Sequence, residues 1–119
     1  MRILFCGDRN WFKKSYIREA LSWFDPKCDI IIHGAARGAD SIAGETALEM
    51  GWPEESILAF PAEWNKFGKS AGPVRNRQML RDGGPDLVLA FHENIGESKG
   101  TKDMVEISCK AGIPALVYA

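Results

Sequence analysis

Short apolar runs alternate along this chain with longer segments in which apolar residues recur every three or four positions. Runs of four to five apolar residues closed by glycine, proline or polar turn residues predict buried strands, and the longer period predicts helices. In the first such helix, Ile17, Ala20, Leu21 and Phe24 share one face. The pattern predicts strands at residues 3–6, 29–33, 56–60, 86–92 and 114–118, helices at about 13–24, 39–50, 74–81 and 101–111, and a long loop at 61–73.

Strands and helices therefore alternate regularly, and the strands are almost continuously apolar. That combination is typical of a parallel sheet whose two faces are both covered by helices. The predicted fold class is α/β, a Rossmann-like, doubly wound, mainly parallel five-stranded sheet with helices on both faces. No repeat or linker divides the chain, so a single domain over residues 1–119 is expected. Ligands of such sheets bind beyond the carboxyl ends of the strands, where the strand order reverses.

Four turns are predicted to meet at that carboxyl edge: 7–10, 33–40, 61–77 and 92–102. They hold most of the chain's unusual glycines, arginines and polar side chains, whereas the turns at the opposite edge are ordinary breaks. We therefore expect a ligand site built from these four segments.

The turn at residues 33–40 links a strand to a helix and contains Gly34, Arg37, Gly38 and Asp40. The two glycines permit unusual backbone angles and leave room for a ligand, while the helix N-terminus and Arg37 suit an anion. In the alternative interpretation Asp40 satisfies backbone donors and Arg37 faces water. Gly7-Asp8-Arg9, after the first strand, is a weaker motif that on its own fits an ordinary tight turn.

Two further segments predict anion contacts. Gly100-Thr101 resembles a phosphate cradle at a helix start, although the P-loop spacing is absent and an ordinary threonine-started helix fits equally well. Arg75, Asn76 and Arg77 fall at the predicted start of the third helix, where positive charge opposes the helix dipole unless an anion joins it. Arg75 is the preferred ligand contact. Trp64 could stack on a base or cover a core edge.

The amino-acid composition limits the classes of function that this chain can have. Fifteen basic against sixteen acidic residues give a net charge of -1, which disfavours nucleic acid as the main partner. Three widely spaced cysteines and the lack of a leader or long apolar run predict a cytoplasmic protein that does not bind membranes. No spacing indicates a metal site, and we predict no cofactor. Candidate acids are Asp8, Asp40, Glu93 and Asp103, and none is singled out by spacing.

Taken together, the motifs resemble the YspA-type branch of the SLOG superfamily, over residues 1 to about 112. The resemblance implies a Rossmann-like fold and a nucleotide or nucleotide-derived ligand. Related SLOG proteins include the LOG phosphoribohydrolases, which release the base from a nucleoside 5′-monophosphate, and the DprA proteins, which bind single-stranded DNA. The motifs that carry the resemblance are Gly7-Asp8-Arg9, residues 34–40, Pro61-Ala62-Glu63-Trp64, Gly68, Ala71-Gly72-Pro73 and residues 75–79.

The correspondence with the LOG enzymes is partial. It places their catalytic arginine on Arg75 and keeps the Gly-Thr pair as Gly100-Thr101. Their catalytic glutamate, however, falls on Met104, which has no carboxylate to stabilise positive charge or transfer a proton. Asp103 or Glu93 would have to replace it.

Three functions are therefore predicted, in order of preference. The first is binding of a nucleotide or ADP-ribose-like ligand, to sense or sequester it. The second is hydrolysis of a nucleotide N-glycosidic bond, with Arg75 holding the substrate and Asp8, Glu93 or Asp103 as the carboxylate. The third is single-stranded nucleic-acid binding through a surface formed by Lys66, Lys69, Arg75, Arg77, Arg81 and Trp64. A homodimer or higher homo-oligomer is also expected. The ligand-binding residues predicted are Gly7, Asp8, Arg9, Gly34, Arg37, Gly38, Asp40, Trp64, Arg75, Asn76, Gly100 and Thr101.

Overall fold

Five parallel strands form one sheet in the computed structural model, which describes residues 1–119. The strands are β1 (Arg2–Gly7), β2 (Ile30–His33), β3 (Ile57–Ala59), β4 (Leu87–Phe91) and β5 (Ala115–Tyr118), in the order β3-β2-β1-β4-β5. The order reverses at β1, because the chain adds β2 and β3 on one side and then crosses to β4 and β5 on the other. The Rossmann-like α/β prediction is confirmed, with all strand pairs parallel.

Helices cover both faces of the sheet. Ile3 and Phe5 of β1 pack against α1 (Lys14–Leu21) and α2 (Ala39–Glu49), whereas Leu4 and Cys6 point to the opposite face. That second face is covered by Met79, just after α4 (Ala71–Gln78), and by Met104 of α5 (Gly100–Lys110). Each central strand is thus buried on both sides, which explains why its sequence is continuously apolar.

The prediction of a long loop at 61–73 is wrong. That segment contains a short helix α3 (Trp64–Phe67) and a 3₁₀ turn (Gly68–Ser70), and α4 begins at Ala71, three residues earlier than predicted. Pro73 lies in the first turn of α4, where a missing N–H costs no helical hydrogen bond. Arg75 and Arg77 consequently lie in the last turn of α4, so the argument that they oppose the dipole at a helix start is also wrong.

The helices are short. The longest two, α2 and α5, have 11 residues each, and no helix has the length and apolar character needed to cross a membrane.

Candidate functional site

A cleft of about 500 Å³ lies at the carboxyl edge of the sheet, at the point where β1 separates β2 from β4. All four turns that the sequence placed at this edge contribute to its walls. Ten of the residues named as ligand contacts line it: Gly7, Asp8, Arg9, Arg37, Asp40, Trp64, Arg75, Asn76, Gly100 and Thr101.

The cleft lining also includes residues that were not predicted from the sequence. Lys69, Ser98 and Lys99 belong to turns that were singled out, but nothing in their spacing distinguished them. Met79 and Met104 are buried members of the core that also form part of the cleft wall, and their sequence pattern indicates packing only. The remaining unpredicted lining residues are Cys6, Asn10, Ala36, Gly72, Pro73 and His92.

Gly34 and Gly38 do not line this cleft, because protein atoms occupy the space beside them. Gly38 has a left-handed φ of +73°, and a Cβ on it would overlap the carbonyl oxygen of Asp8. A Cβ on Gly34 would meet the guanidinium of Arg75 and would lie 2.8 Å from Oδ2 of Asp40. These glycines therefore let the β2–α2 turn pack against the β1 turn and against α4.

Asp40 and Arg75 hold the Gly34 peptide from two sides. Oδ2 of Asp40 accepts a hydrogen bond from the Gly34 amide at 2.8 Å, and a terminal nitrogen of Arg75 donates to the Gly34 carbonyl. Asp40 is only 4% exposed. Burial raises the pKa of Asp40 to about 6, although the nearby Arg75 charge opposes that rise. Burial likewise lowers the pKa of Arg75, with Asp40 opposing.

Asn76 connects α4 to the start of α5. Its Oδ1 accepts from Nε of Arg75 at 3.1 Å, while its Nδ2 donates to the Gly100 carbonyl at 3.2 Å and to Asp103 at 3.0 Å. The side chain is almost fully buried. Asn76 thus orients the Arg75 guanidinium relative to the first turn of α5.

His92 and Asp8 face each other across the β1 and β4 ends. Nδ1 of His92 accepts from the Asn94 amide at 2.9 Å, which leaves the proton of the neutral ring on Nε2, 3.9 Å from Oδ2 of Asp8. The other Asp8 oxygen accepts from the Asn10 amide at 2.9 Å. Asp8 is therefore oriented by its own turn, with one oxygen directed toward His92.

Positive charge predominates in the lining. Arg9, Arg37, Lys69, Arg75 and Lys99 oppose two carboxylates, those of Asp8 and Asp40, although the whole chain carries a net charge of -1. The guanidinium of Arg9 lies 5.6 Å from the ring centroid of Trp64, which is half exposed. At the other side of the cleft the amides of Gly100, Thr101 and Lys102 at the start of α5 have no helical acceptor. Ser98 Oγ accepts a hydrogen bond from the Thr101 amide at 3.0 Å.

The two acids proposed to replace the LOG glutamate lie outside the cleft lining. Glu93 is exposed and pairs with Lys13 at 2.9 Å. Asp103 accepts hydrogen bonds from Asn76 and Arg77, at 3.0 and 3.2 Å. Met104 is fully buried and presents an apolar side chain to the cleft.

The fold and the cleft define an α/β protein with a basic site at the switch point of a parallel sheet. Residues 1–67 match the YspA, cpYpsA-related SLOG family. The gene 61 protein of Mycobacterium phage D29 is 37% identical over 124 residues, covering 98% of this chain and 95% of that protein. The chain belongs to the YspA, cpYpsA-related SLOG family, and membership of the SLOG group indicates a nucleotide-related function. No solved structure matches the chain significantly.

Proposed function

We propose that the cleft binds a nucleotide or an ADP-ribose-like ligand, and that the protein senses or sequesters it. The observation that carries this proposal is the convergence of five cationic side chains on the switch point of the sheet in a chain with a net negative charge. Such local excess attracts anions, and a parallel α/β sheet binds nucleotides at this location. The cleft volume falls within the range of small-molecule sites.

The phosphate contacts are assigned to Arg75 and to the first turn of α5. Arg75 is held by Gly34 and Asn76, so that its position is fixed before a ligand arrives. Preorganised charge of this kind loses little entropy on binding. Gly100 has open space where a side chain would lie, which lets an anion approach the helix amides.

Hydrolysis of an N-glycosidic bond is the second candidate. Asp8 and Asp40 both line the cleft, and a buried carboxyl with a raised pKa, as in Asp40, is a common feature of active sites. A binding function is preferred to hydrolysis for two reasons. The Asp40 carboxyl is already engaged by the Gly34 amide, and neither Glu93 nor Asp103 belongs to the cleft lining.

Calorimetric titration with AMP, ADP, ADP-ribose, NAD and cyclic nucleotides tests the proposal. We expect at least one to bind, and Arg75→Ala to weaken that binding at least tenfold because it removes a fixed charge and hydrogen bonds to phosphate. Arg81→Ala is the matched control, since Arg81 is exposed and pairs with its neighbour Asp82 at 2.9 Å.

If no nucleotide produces a heat of binding or a change in fluorescence, the proposal is contradicted. Both variants are first checked by thermal unfolding, because Arg75 donates a hydrogen bond to the carbonyl of Gly34, whose amide is bound by the buried Asp40. Chromatography of the same mixtures for free base separates the two candidates: release that requires Asp8 would favour the hydrolase.

A further inference from the structure

A second cavity of about 350 Å³ adjoins the cleft on the side of β2 and β3. It is enclosed by the turn after β2, with Gly34 and Ala35, and by Pro61 and Ala62 after β3. The two cavities have five lining residues in common: Arg9, Ala36, Arg37, Trp64 and Arg75. They are therefore neighbouring compartments of one groove along the carboxyl edge.

Charge is distributed unevenly along this groove. The three arginines of the lining, Arg9, Arg37 and Arg75, all lie at the boundary between the compartments. The rest of the second cavity carries no charged side chain. The strongest attraction for phosphate is thus in the middle of the groove, with an uncharged compartment beyond it.

Two backbone donors of the second cavity are already occupied. The Gly34 amide donates to Asp40 at 2.8 Å, and the Ala35 amide donates to Nδ1 of His33 at 3.0 Å. With small, uncharged side chains and the half-exposed ring of Trp64 in its walls, this compartment suits a planar ring or a sugar better than a phosphate.

From this arrangement we infer that the ligand has its phosphates in the middle and a ring-bearing group at each end, the chemical class of dinucleotides and of ADP-ribose. The pyrophosphate lies against Arg9, Arg37 and Arg75 and reaches the first-turn amides of α5, one end group enters the rest of the cleft, and the other enters the second cavity. This inference rests on the proposed function and specifies its ligand class. A mononucleotide would fill only one compartment and leave the other to water.

Calorimetry with ADP, ADP-ribose and NAD tests this inference. The three ligands share adenosine and a diphosphate and differ in the second end group. We expect ADP-ribose or NAD to bind at least tenfold more tightly than ADP to the unaltered protein. Ala62→Trp, which fills the second cavity, is expected to reduce that preference to less than threefold. Ala111→Trp places the same bulk on an exposed residue at the far end of α5 and is expected to keep the preference.

ADP binding within threefold of both larger ligands would overturn the inference while leaving the proposed function in place. An undiminished preference in folded Ala62→Trp would overturn it equally. If Ala62→Trp does not fold, Ala62→Leu fills less of the cavity and is expected to lower the preference at least threefold. If no nucleotide binds, the proposed function and this inference both fail.

Discussion

At the scale of single residues, the site depends on the backbone of Gly34, which a buried carboxyl and a partly buried guanidinium hold from two sides. Asp40 and Arg75 both contact Gly34, one through its amide and one through its carbonyl. Removing either side chain leaves the charge of the other without an opposite charge nearby, which is costly for a group withdrawn from water. The sequence drew attention to Arg75 for a reason that proved wrong, since a contact between residues 34 and 75 is not visible in local spacing.

The first prediction concerns the pH dependence of stability. Burial raises the pKa of Asp40 from 3.8 to about 6, so the folded protein binds more protons than the unfolded chain between these values. The contribution of Asp40 to stability is therefore complete below pH 3.8 and is lost as pH rises through about 6, at a cost on the order of 3 kcal/mol. Asp40→Asn does not titrate, and urea unfolding should show its stability improving relative to the unaltered protein from pH 4 to pH 7.

Asp82→Asn is the control for this experiment. A hydrogen bond from Arg81 lowers the pKa of Asp82 below its ordinary value of 3.8, so its contribution to stability is lost only as pH falls below that value. The stability of this variant relative to the unaltered protein should therefore stay nearly constant from about pH 5 to pH 7. A constant difference between Asp40→Asn and the unaltered protein would show that Asp40 ionises as readily in the folded state as in the unfolded one.

At the scale of elements, two turns interlock to form one wall of the cleft. The carbonyl of Asp8, after β1, accepts hydrogen bonds from the amides of Trp11 and Ala39, each at 3.1 Å. Gly38, which precedes α2, packs directly on that carbonyl. The positions of Asp8 and Arg9 are thus fixed by the start of α2 as well as by β1.

The second prediction compares two glycines that both have a positive φ. Gly38 and Gly112 have φ of +73° and +79°, but only at Gly38 would a Cβ meet other atoms, those of Asp8 and Arg9. Each alanine variant should lose about 1 kcal/mol or more to its positive φ. Gly38→Ala should lose a further 1–3 kcal/mol, roughly the cost of overpacking, and should also weaken nucleotide binding. If the two variants lose the same free energy of unfolding in urea, the packing of Gly38 against the turn after β1 contributes nothing to stability.

How far the sequence predicts these elements depends on where their contacts lie. The strands were located well because burial on both faces leaves continuous apolar runs such as residues 87–91. The helices in the segment 61–73 were not located, because α3 and the start of α4 have few buried side chains. Two glycines and two prolines also interrupt any apolar period there. The third helix was predicted to begin at about residue 74, whereas it begins at Ala71.

At the scale of the whole molecule, topology brings distant turns to one place. The alternation of strands and helices predicts which turns share the carboxyl edge, and ten of the twelve predicted ligand contacts do line the cleft. The sequence could not show which of those side chains pair with each other. Arg77 pairs with Asp103 and Arg81 with Asp82, so two cations assigned to a nucleic-acid surface are partly neutralised. The unpaired positive charge is concentrated in the groove instead.

The third prediction follows from that concentration of charge. Lys69→Glu and Lys99→Glu reverse exposed charges in the cleft lining, whereas Lys27→Glu reverses one at the opposite edge of the sheet. Each replaces +1 by −1 and takes the net charge from -1 to -3, so the overall field changes equally. If the local field attracts the ligand, the first two should weaken ADP-ribose binding about tenfold at low salt, and Lys27→Glu less than twofold. The difference should shrink toward 1 M salt, where screening acts within about 3 Å. Equal effects of all three reversals in calorimetry would mean that net charge, rather than the groove, controls binding.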